Sequence, residues 1–210
     1  MLTTGQRIMS AKGFSAVGLN EVLAAAGVPK GSFYHYFASK EAFGEAMLED
    51  YFTAYLADMD RIFRQPGQTK AAQLEAYFRA WQDSQSFEDC QGKCLAVKLG
   101  AEVADLSGSM RAALQRGTTG ITDRLARALA AGVADGSVTI QDPPDAVARS
   151  LYQLWLGTSI MVKIARSTRP FDDAVALTAR LLHTAPLTRG MSRARPRRRV
   201  FLGPITRRPV

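Results

Sequence analysis

The side chain with the most distinctive chemistry in this sequence is the thiol of Cys94. Gly92 is expected to begin a helix, which places Cys94 in the first turn, where the partial positive charge of the helix terminus favours the thiolate. Lys93 and Lys98, the latter one turn further on, add positive charge. A thiolate attacks carbon electrophiles and is readily oxidised. A structural role stays open at this point, since cysteine is often simply buried and Lys98 could pair with Glu102 instead.

A second stretch, residues 28–40, carries side chains suited to nucleic acid. Its sequence is VPKGSFYHYFASK. Pro29 can begin a short helix, because its missing N–H would be unpaired there anyway, and Phe33 and Phe37 form one apolar edge four residues apart. The other positions present a lysine, a hydroxyl and three rings with polar tips, groups that bind phosphates and base edges. A helix of about seven residues is too short to be stable alone, so another helix must hold it.

The supporting helix is predicted immediately upstream, at residues 19–26. Its apolar face contains Leu19, Val22, Leu23 and Ala26. Glu21 can reach back to the N–H of Gly18, and Gly27 ends the helix. Two short helices joined by residues 27–29 form a helix-turn-helix, whose second member enters the major groove of DNA.

Residues 25–41 resemble the signature of the TetR family of bacterial repressors. The resemblance rests on the run AAGVPKGSFYHYF, followed by SKE at residues 39–41. It implies DNA contacts at Lys30, Gly31, Ser32, Tyr34, His35, Tyr36 and Lys40. Tyr34 and Lys40 are then expected mainly at phosphates, whereas Lys30, Ser32 and His35 are expected at or near bases. Where many relatives open the preceding helix with a hydroxyl residue, this chain has Gly18, so that phosphate contact is absent.

Helical periodicity continues through the rest of the chain to about residue 183. Ser39 is expected to cap a long helix reaching about residue 64, with apolar residues at every fourth position: Phe43, Met47, Tyr51, Tyr55 and Met59. Strand alternation is nowhere sustained, so the predicted fold class is all-α. The resemblance implies an N-terminal three-helix helix-turn-helix domain and a C-terminal helical domain for ligand sensing and dimerisation. We place these domains at residues 1–48 and 49–185, before a basic tail at residues 186–210.

Two late helices, predicted at residues 145–166 and 170–183, have more apolar surface than one domain needs. Such helices are expected to pack against a second copy as a two-fold four-helix bundle, which is also how the TetR family dimerises. A homodimer implies a pseudo-palindromic operator in double-stranded DNA. Trp81 and Trp155 are better explained as core or pocket wall than as cofactor sites, and His183 as a helix cap.

The formal net charge is +8, but its distribution adds little to the DNA interpretation. Residues 186–210 hold eight arginines and no acidic residue, so the rest of the chain is formally neutral. This tail is expected to be disordered, and it either adds salt-sensitive nonspecific DNA affinity or is a passenger extension. No stretch is long and apolar enough for a membrane span, and the N-terminus lacks a signal-peptide layout, so we expect a cytoplasmic protein.

Residues 2–185 also resemble one branch of this family, the electrophile- and oxidant-responsive NemR branch. The matching segments are residues 29–37, 39–44, 46–49, 94–95, 97–99, 101–103, 105–107, 110–111, 156–157, 163–164 and 166–167. The resemblance implies that Cys94 senses a small electrophile or oxidant and that Lys163 can engage it. Lys93 stands where the branch pattern has glycine, which changes the approach to Cys94. Cys90 is either a resolving thiol or only a loop cysteine.

Other kinds of function remain to be separated from this one. One is a TetR-type repressor induced by a noncovalent apolar small molecule, in which Cys94 is only structural. An enzyme is not indicated, because the sequence has no glycine-rich phosphate loop, no metal-ligand cluster and no nucleophile elbow. No cofactor is implied either, and two cysteines argue against a disulfide framework. A helical adaptor acting only through partner proteins would show no operator protection.

Overall fold

A computed structural model of the protein describes residues 1–84 and 94–182. Within these ranges the regular secondary structure is entirely helical, as predicted. The helices are α1 (Leu2–Lys12), α2 (Leu19–Ala26), α3 (Lys30–Tyr36), α4 (Lys40–Ile62), α5 (Lys70–Ser84), α6 (Leu95–Leu106), α7 (Gly108–Ala134), α8 (Pro144–Ala165) and α9 (Arg169–Leu181). The predictions for Cys90, for the loop with Lys93, for His183 and for residues 186–210 lie outside the described residues. None of the helices described is long and apolar enough to cross a lipid bilayer.

The helix boundaries follow the local signals in the sequence. Gly27 ends α2 in the left-handed conformation, with φ of 65°, which glycine adopts without steric strain. The Ser39 hydroxyl accepts the N–H of Ala42 at 3.1 Å and so caps α4 as predicted. Pro144 occupies the first position of α8, where no N–H is needed. The left-handed conformation of Gly27 allows the chain to leave α2 in a short turn before α3.

The chain forms two compact units. Among the described residues, the first contains residues 1–56 and 94–119, and the second contains residues 57–84 and 120–182. The long helices α4 and α7 each contribute residues to both units. The predicted recognition helix, α3, and the helix that follows Cys94, α6, belong to the same unit.

The core of the first unit is built around the aromatic side chains of α3 and α4. Helix α1 packs against α2 and α6, and α2 packs against α3. Phe33 and Phe43 are fully buried, with ring centroids 5.7 Å apart. Gly5 allows α1 to approach this cluster, because a Cβ atom there would lie 2.5 Å from the Phe43 ring. The three short helices are therefore held by a small core to which α4 contributes.

The core of the second unit is dense and aromatic. Trp155 is fully buried and stacks on Phe78, with ring centroids 4.7 Å apart. Its indole N–H donates to the Thr178 hydroxyl at 3.0 Å, and the Trp81 indole N–H donates to the Ser159 hydroxyl at 2.9 Å. Both tryptophans are core residues with satisfied polar atoms, in agreement with the sequence interpretation.

Candidate DNA-binding surface and thiol site

Helix α3 is anchored by one side of its short length. Phe33 is fully buried, and its ring lies 5.4 Å from that of Phe37, the residue that ends the helix. Phe37 in turn meets Phe43 of α4 edge to face, at 5.2 Å. Edge-to-face aromatic pairs add specific attraction to their apolar burial. This cluster supplies the tertiary support that a seven-residue helix needs.

The rest of α3 faces solvent. The exposed residues are Lys30, Gly31, Ser32, Tyr34, His35 and Tyr36. Tyr36 is 73% exposed and Tyr34 is 52% exposed, which is unusual for large aromatic residues. Gly31 adds no side chain to the first turn, and the space around its Cα is open. This surface offers donors, acceptors and rings without obstruction, as binding to a groove of DNA requires.

Lys40 differs from the other residues of the expected DNA-binding set. Its ammonium group donates to the backbone carbonyl of Phe14 at 2.7 Å and lies 4.5 Å from the centroid of the Phe14 ring. An ammonium has three donors, and at least one of those of Lys40 is used inside the protein. In this structure Lys40 therefore holds the loop between α1 and α2.

The proposed cap of α2 is corrected by the structure. Gly18 is the residue before α2, but no side chain caps the helix there. Glu21 instead forms an ion pair with Lys12 of α1, at 2.5 Å. The prediction was wrong because the cation that competes for Glu21 comes from a neighbouring helix, which the local sequence pattern does not show.

Cys94 lies at the N-terminal end of α6. The helix begins at Leu95, so Cys94 directly precedes its first turn. The sequence predicts Cys94 within that turn, and the structure corrects this position. The carbonyl of Cys94 accepts the N–H of Lys98 at 3.0 Å, the first hydrogen bond of the helix. The side chain is 7% exposed. The thiol is therefore close to the positive end of a helix dipole and largely shielded from bulk water.

The two lysines expected beside the thiol are each only partly exposed. Lys98 lies in the first turn of α6, and Lys163 lies near the end of α8, in the second unit. The alternative pairing of Lys98 with Glu102 is not formed. The Glu102 carboxylate instead binds backbone amides of the loop between α1 and α2.

Glu102 is the residue of this unit that sequence reasoning missed. Its carboxylate accepts the backbone N–H of Phe14 at 3.0 Å and that of Ser15 at 2.7 Å. Burial alone would raise the pKa of Glu102, but hydrogen bonds from Ser15 and from the Phe14 amide, with the charge of Lys40, lower it. The partners are 88 and 87 residues away in sequence, so no local periodicity could have indicated this contact.

The described residues offer no obvious site for a metal ion. Within residues 1–84 and 94–182, no three side chains of His, Cys, Asp or Glu are grouped closely enough to bind one. The chemically distinctive groups of the first unit are the exposed face of α3, the buried thiol of Cys94 and the carboxylate of Glu102.

Two family models match this chain, one in its N-terminal part and one in its C-terminal part. Residues 2–47 match the family described as bacterial regulatory proteins of the TetR family. Residues 71–178 match the tetracycline repressor-like C-terminal domain. The chain is 39% identical over 184 residues to the HTH-type transcriptional repressor NemR of Escherichia coli strain K12, covering 88% of this chain and 92% of that repressor. It is 32% identical over 173 residues to the transcriptional regulator AcuR of Cereibacter sphaeroides, covering 82% and 79%.

A solved structure supports the same relationship. The reduced form of E. coli NemR superposes with a TM-score of 0.83 at 39% identity, covering 89% of this chain and 96% of that one. A TetR regulatory protein from Rhodobacter sphaeroides gives a TM-score of 0.77 at 31% identity, covering 85% and 95%. With both domains matched and the fold shared over most of its length, the chain belongs to the TetR family of bacterial transcriptional regulators.

Proposed function

We propose that this protein is a sequence-specific transcriptional repressor, released from its operator when a reactive electrophile or oxidant modifies Cys94. The observation that carries the proposal is the position of Cys94. It directly precedes α6, and α6 belongs to the same compact unit as the recognition helix α3. Chemistry at this thiol therefore acts on the part of the molecule that contacts DNA. The similarity to NemR, itself a transcriptional repressor, supports the same function.

DNA binding is assigned to the exposed face of α3. Tyr34 holds a phosphate, while Lys30, Ser32 and His35 read bases in the major groove. Gly31 allows the backbone to approach the groove closely. Lys40 binds a phosphate only if its ammonium keeps a donor available beyond its bond to Phe14.

The operator is pseudo-palindromic because the repressor acts as a two-fold dimer. Helices α8 and α9 pack on one another and expose large apolar residues at Ile160, Met161, Ile164 and Leu181. Ile164 is 69% exposed in the single chain. Exposed apolar residues on two packed helices are suited to a second copy of the same helices, which would form a four-helix bundle. Each protomer then offers one recognition helix to one half-site.

The chemical event is addition of the Cys94 thiolate to an activated double bond. The sulfur forms a bond to one carbon, the π electrons pass to the neighbouring carbon, and that carbon takes a proton from water. The N-terminus of α6 and the positive charge of Lys98 favour the thiolate. Because the side chain is almost buried, an adduct cannot be accommodated without movement of the residues around it.

Release follows from linkage between modification and conformation. If the adduct is compatible only with a form of the dimer whose recognition helices are wrongly placed, the operator is lost. A coupling of about 3 kcal/mol lowers operator affinity by more than a hundredfold.

The experiment is operator binding by the wild type and by Cys94→Ser, before and after N-ethylmaleimide. The DNA is the region upstream of the protein's own gene, and binding is measured by fluorescence anisotropy. We expect the wild type to bind and be released, while the variant stays bound. Cys90→Ser serves as the matched control and should behave as the wild type if Cys90 is only a loop cysteine. Release of Cys94→Ser by the reagent would contradict the proposal.

A second function is favoured by one observation, the low exposure of Cys94. A thiol that is 7% exposed also fits a purely structural residue. In that case the repressor responds to a noncovalent apolar molecule bound within its helical body. The same experiment separates the two, since such a protein binds the operator and is not released by the thiol reagent.

A further inference from the structure

The carboxylate of Glu102 joins α6 to the loop between α1 and α2. One oxygen accepts the N–H of Ser15 at 2.7 Å, and the other accepts the N–H of Phe14 at 3.0 Å. Hydrogen bonds to an ionised acceptor are about twice as strong as those between neutral groups. Two consecutive backbone amides thus bind a single carboxylate, which sets both the direction of the loop and its distance from α6.

The loop has the conformation and the space that this contact needs. Gly13 has φ of 94°, a region that other residues rarely adopt. A Cβ atom at this position would lie 3.3 Å from one Glu102 oxygen, which is closer than ordinary contact. Phe14 is buried, so the loop cannot turn without removing its ring from the core. Gly13 therefore turns the chain so that the next two amides face α6.

The other side of the same peptide segment is held by α4. The carbonyl of Phe14 accepts a hydrogen bond from the Lys40 ammonium at 2.7 Å. Phe14 precedes α2 and Lys40 follows α3, so the two contacts of this loop secure both ends of the helix-turn-helix segment. The charge of Lys40 also contributes to the lowered pKa of Glu102. We call this group of three interacting residues the loop clip: Phe14, Lys40 and Glu102.

We propose that Glu102 is the positioning residue through which Cys94 controls the helix-turn-helix. This inference rests on the function proposed above. Glu102 follows Cys94 by eight residues, a distance of about 12 Å along the axis of α6. The helix moves as a rigid body, so an adduct that displaces its first turn by about 1 Å stretches both hydrogen bonds beyond about 3.5 Å, where they fail. The loop is then released, and α3 loses its fixed position.

The test compares Glu102→Gln with the wild type. Glutamine keeps the shape and one carbonyl oxygen but has no charge, so it weakens the clip and preserves packing. Glu49→Gln is the matched control, because the Glu49 carboxylate pairs with Arg116 in the same unit without touching the loop. Three quantities are measured on the full-length protein: the rate of Cys94 alkylation by N-ethylmaleimide, operator affinity before and after alkylation, and hydrogen exchange of the Phe14 and Ser15 amides.

The expected result distinguishes a loss of coupling between Cys94 and operator binding from a general loss of stability. In Glu102→Gln the alkylation rate stays within about twofold of the wild type, since the thiol and the start of α6 are unchanged. The ratio of operator affinities before and after alkylation falls from on the order of a hundredfold to about tenfold. Glu49→Gln retains the full ratio. If Glu102→Gln also retains it, Glu102 does not carry the coupling.

Hydrogen exchange distinguishes failure of this inference from failure of the proposed function. Alkylation of the wild type is expected to speed exchange of the Phe14 and Ser15 amides by about tenfold or more, because their acceptor moves away. Continued protection of these amides after full alkylation would overturn the role of Glu102. A wild type that exchanges faster after alkylation but stays on its operator would reject electrophile-controlled repression and, with it, control of the helix-turn-helix through Glu102.

Discussion

In the second compact unit, the central contacts join side chains that are both buried: Trp155 on Phe78, and the indole of Trp81 on Ser159. In the first unit, α6 is joined to the loop before α2 by one partly exposed carboxylate on two backbone amides. Aromatic packing is lost only when the core opens, whereas hydrogen bonds fail after a displacement of about 1 Å. The thiol belongs to the unit in which one connection, that of Glu102, can be broken without opening the aromatic core.

The largest change in the free energy of unfolding should come from a substitution in the aromatic core of the second unit. We expect Trp155→Ala to lower the free energy of unfolding by about 3–5 kcal/mol, because it removes a fully buried indole and leaves a cavity. Denaturant titration followed by circular dichroism measures this. Tyr36→Ala, at an exposed aromatic residue, is the control and should change the free energy by less than about 0.5 kcal/mol. Equal effects of the two variants would contradict the contrast between core and surface.

Removal of a recognition side chain should affect DNA binding and leave folding unchanged. Lys30→Ala is expected to weaken operator binding by about 1–3 kcal/mol if Lys30 reads a base. Its unfolding free energy should match that of the wild type, since the side chain is exposed. Fluorescence anisotropy with the operator and with a scrambled duplex measures the sequence-specific and the nonspecific affinity. An equal loss on the two duplexes would assign Lys30 to a phosphate instead.

The loop clip should make stability depend on pH. The folded pKa of Glu102 is below its ordinary value of 4.5, so the charged form stabilises the folded state. This contribution is fully present above about pH 4.5 and is lost as the pH falls through the lowered folded pKa. We expect Glu102→Gln to reduce the unfolding free energy by about 1 kcal/mol at pH 7, after allowance for partial exposure. The difference from the wild type should therefore shrink as the pH falls below 4.5, as followed by denaturant titration.

The smallest effect should come from an exposed ion pair in the same unit. Glu49 pairs with Arg116 at 2.6 Å, with both side chains more than half exposed. Solvent screening limits such pairs, and we expect Glu49→Gln to change the unfolding free energy by less than about 0.5 kcal/mol. A loss as large as that of Glu102→Gln would mean that any carboxylate of this unit has the same influence, and the clip would have no special role.

The sequence by itself determined the helices and the exposed face of α3, because both depend on local spacing. Apolar residues at every fourth position of α4 predicted its buried face, and Ser39 and Gly27 predicted helix ends that the structure contains. It also indicated that Cys94 lies at the start of a helix, although that helix begins at Leu95, three residues after the predicted start at Gly92.

Only the tertiary structure decided which charged groups meet. Glu21 binds Lys12 and does not cap α2. Lys40, expected at a phosphate, contacts Phe14, and Glu102, considered as a partner of Lys98, binds amides 87 and 88 residues away. The physical reason is that helix periodicity arises from neighbours three and four residues apart, whereas a carboxylate binds whichever donors the packing of distant helices brings within about 3 Å.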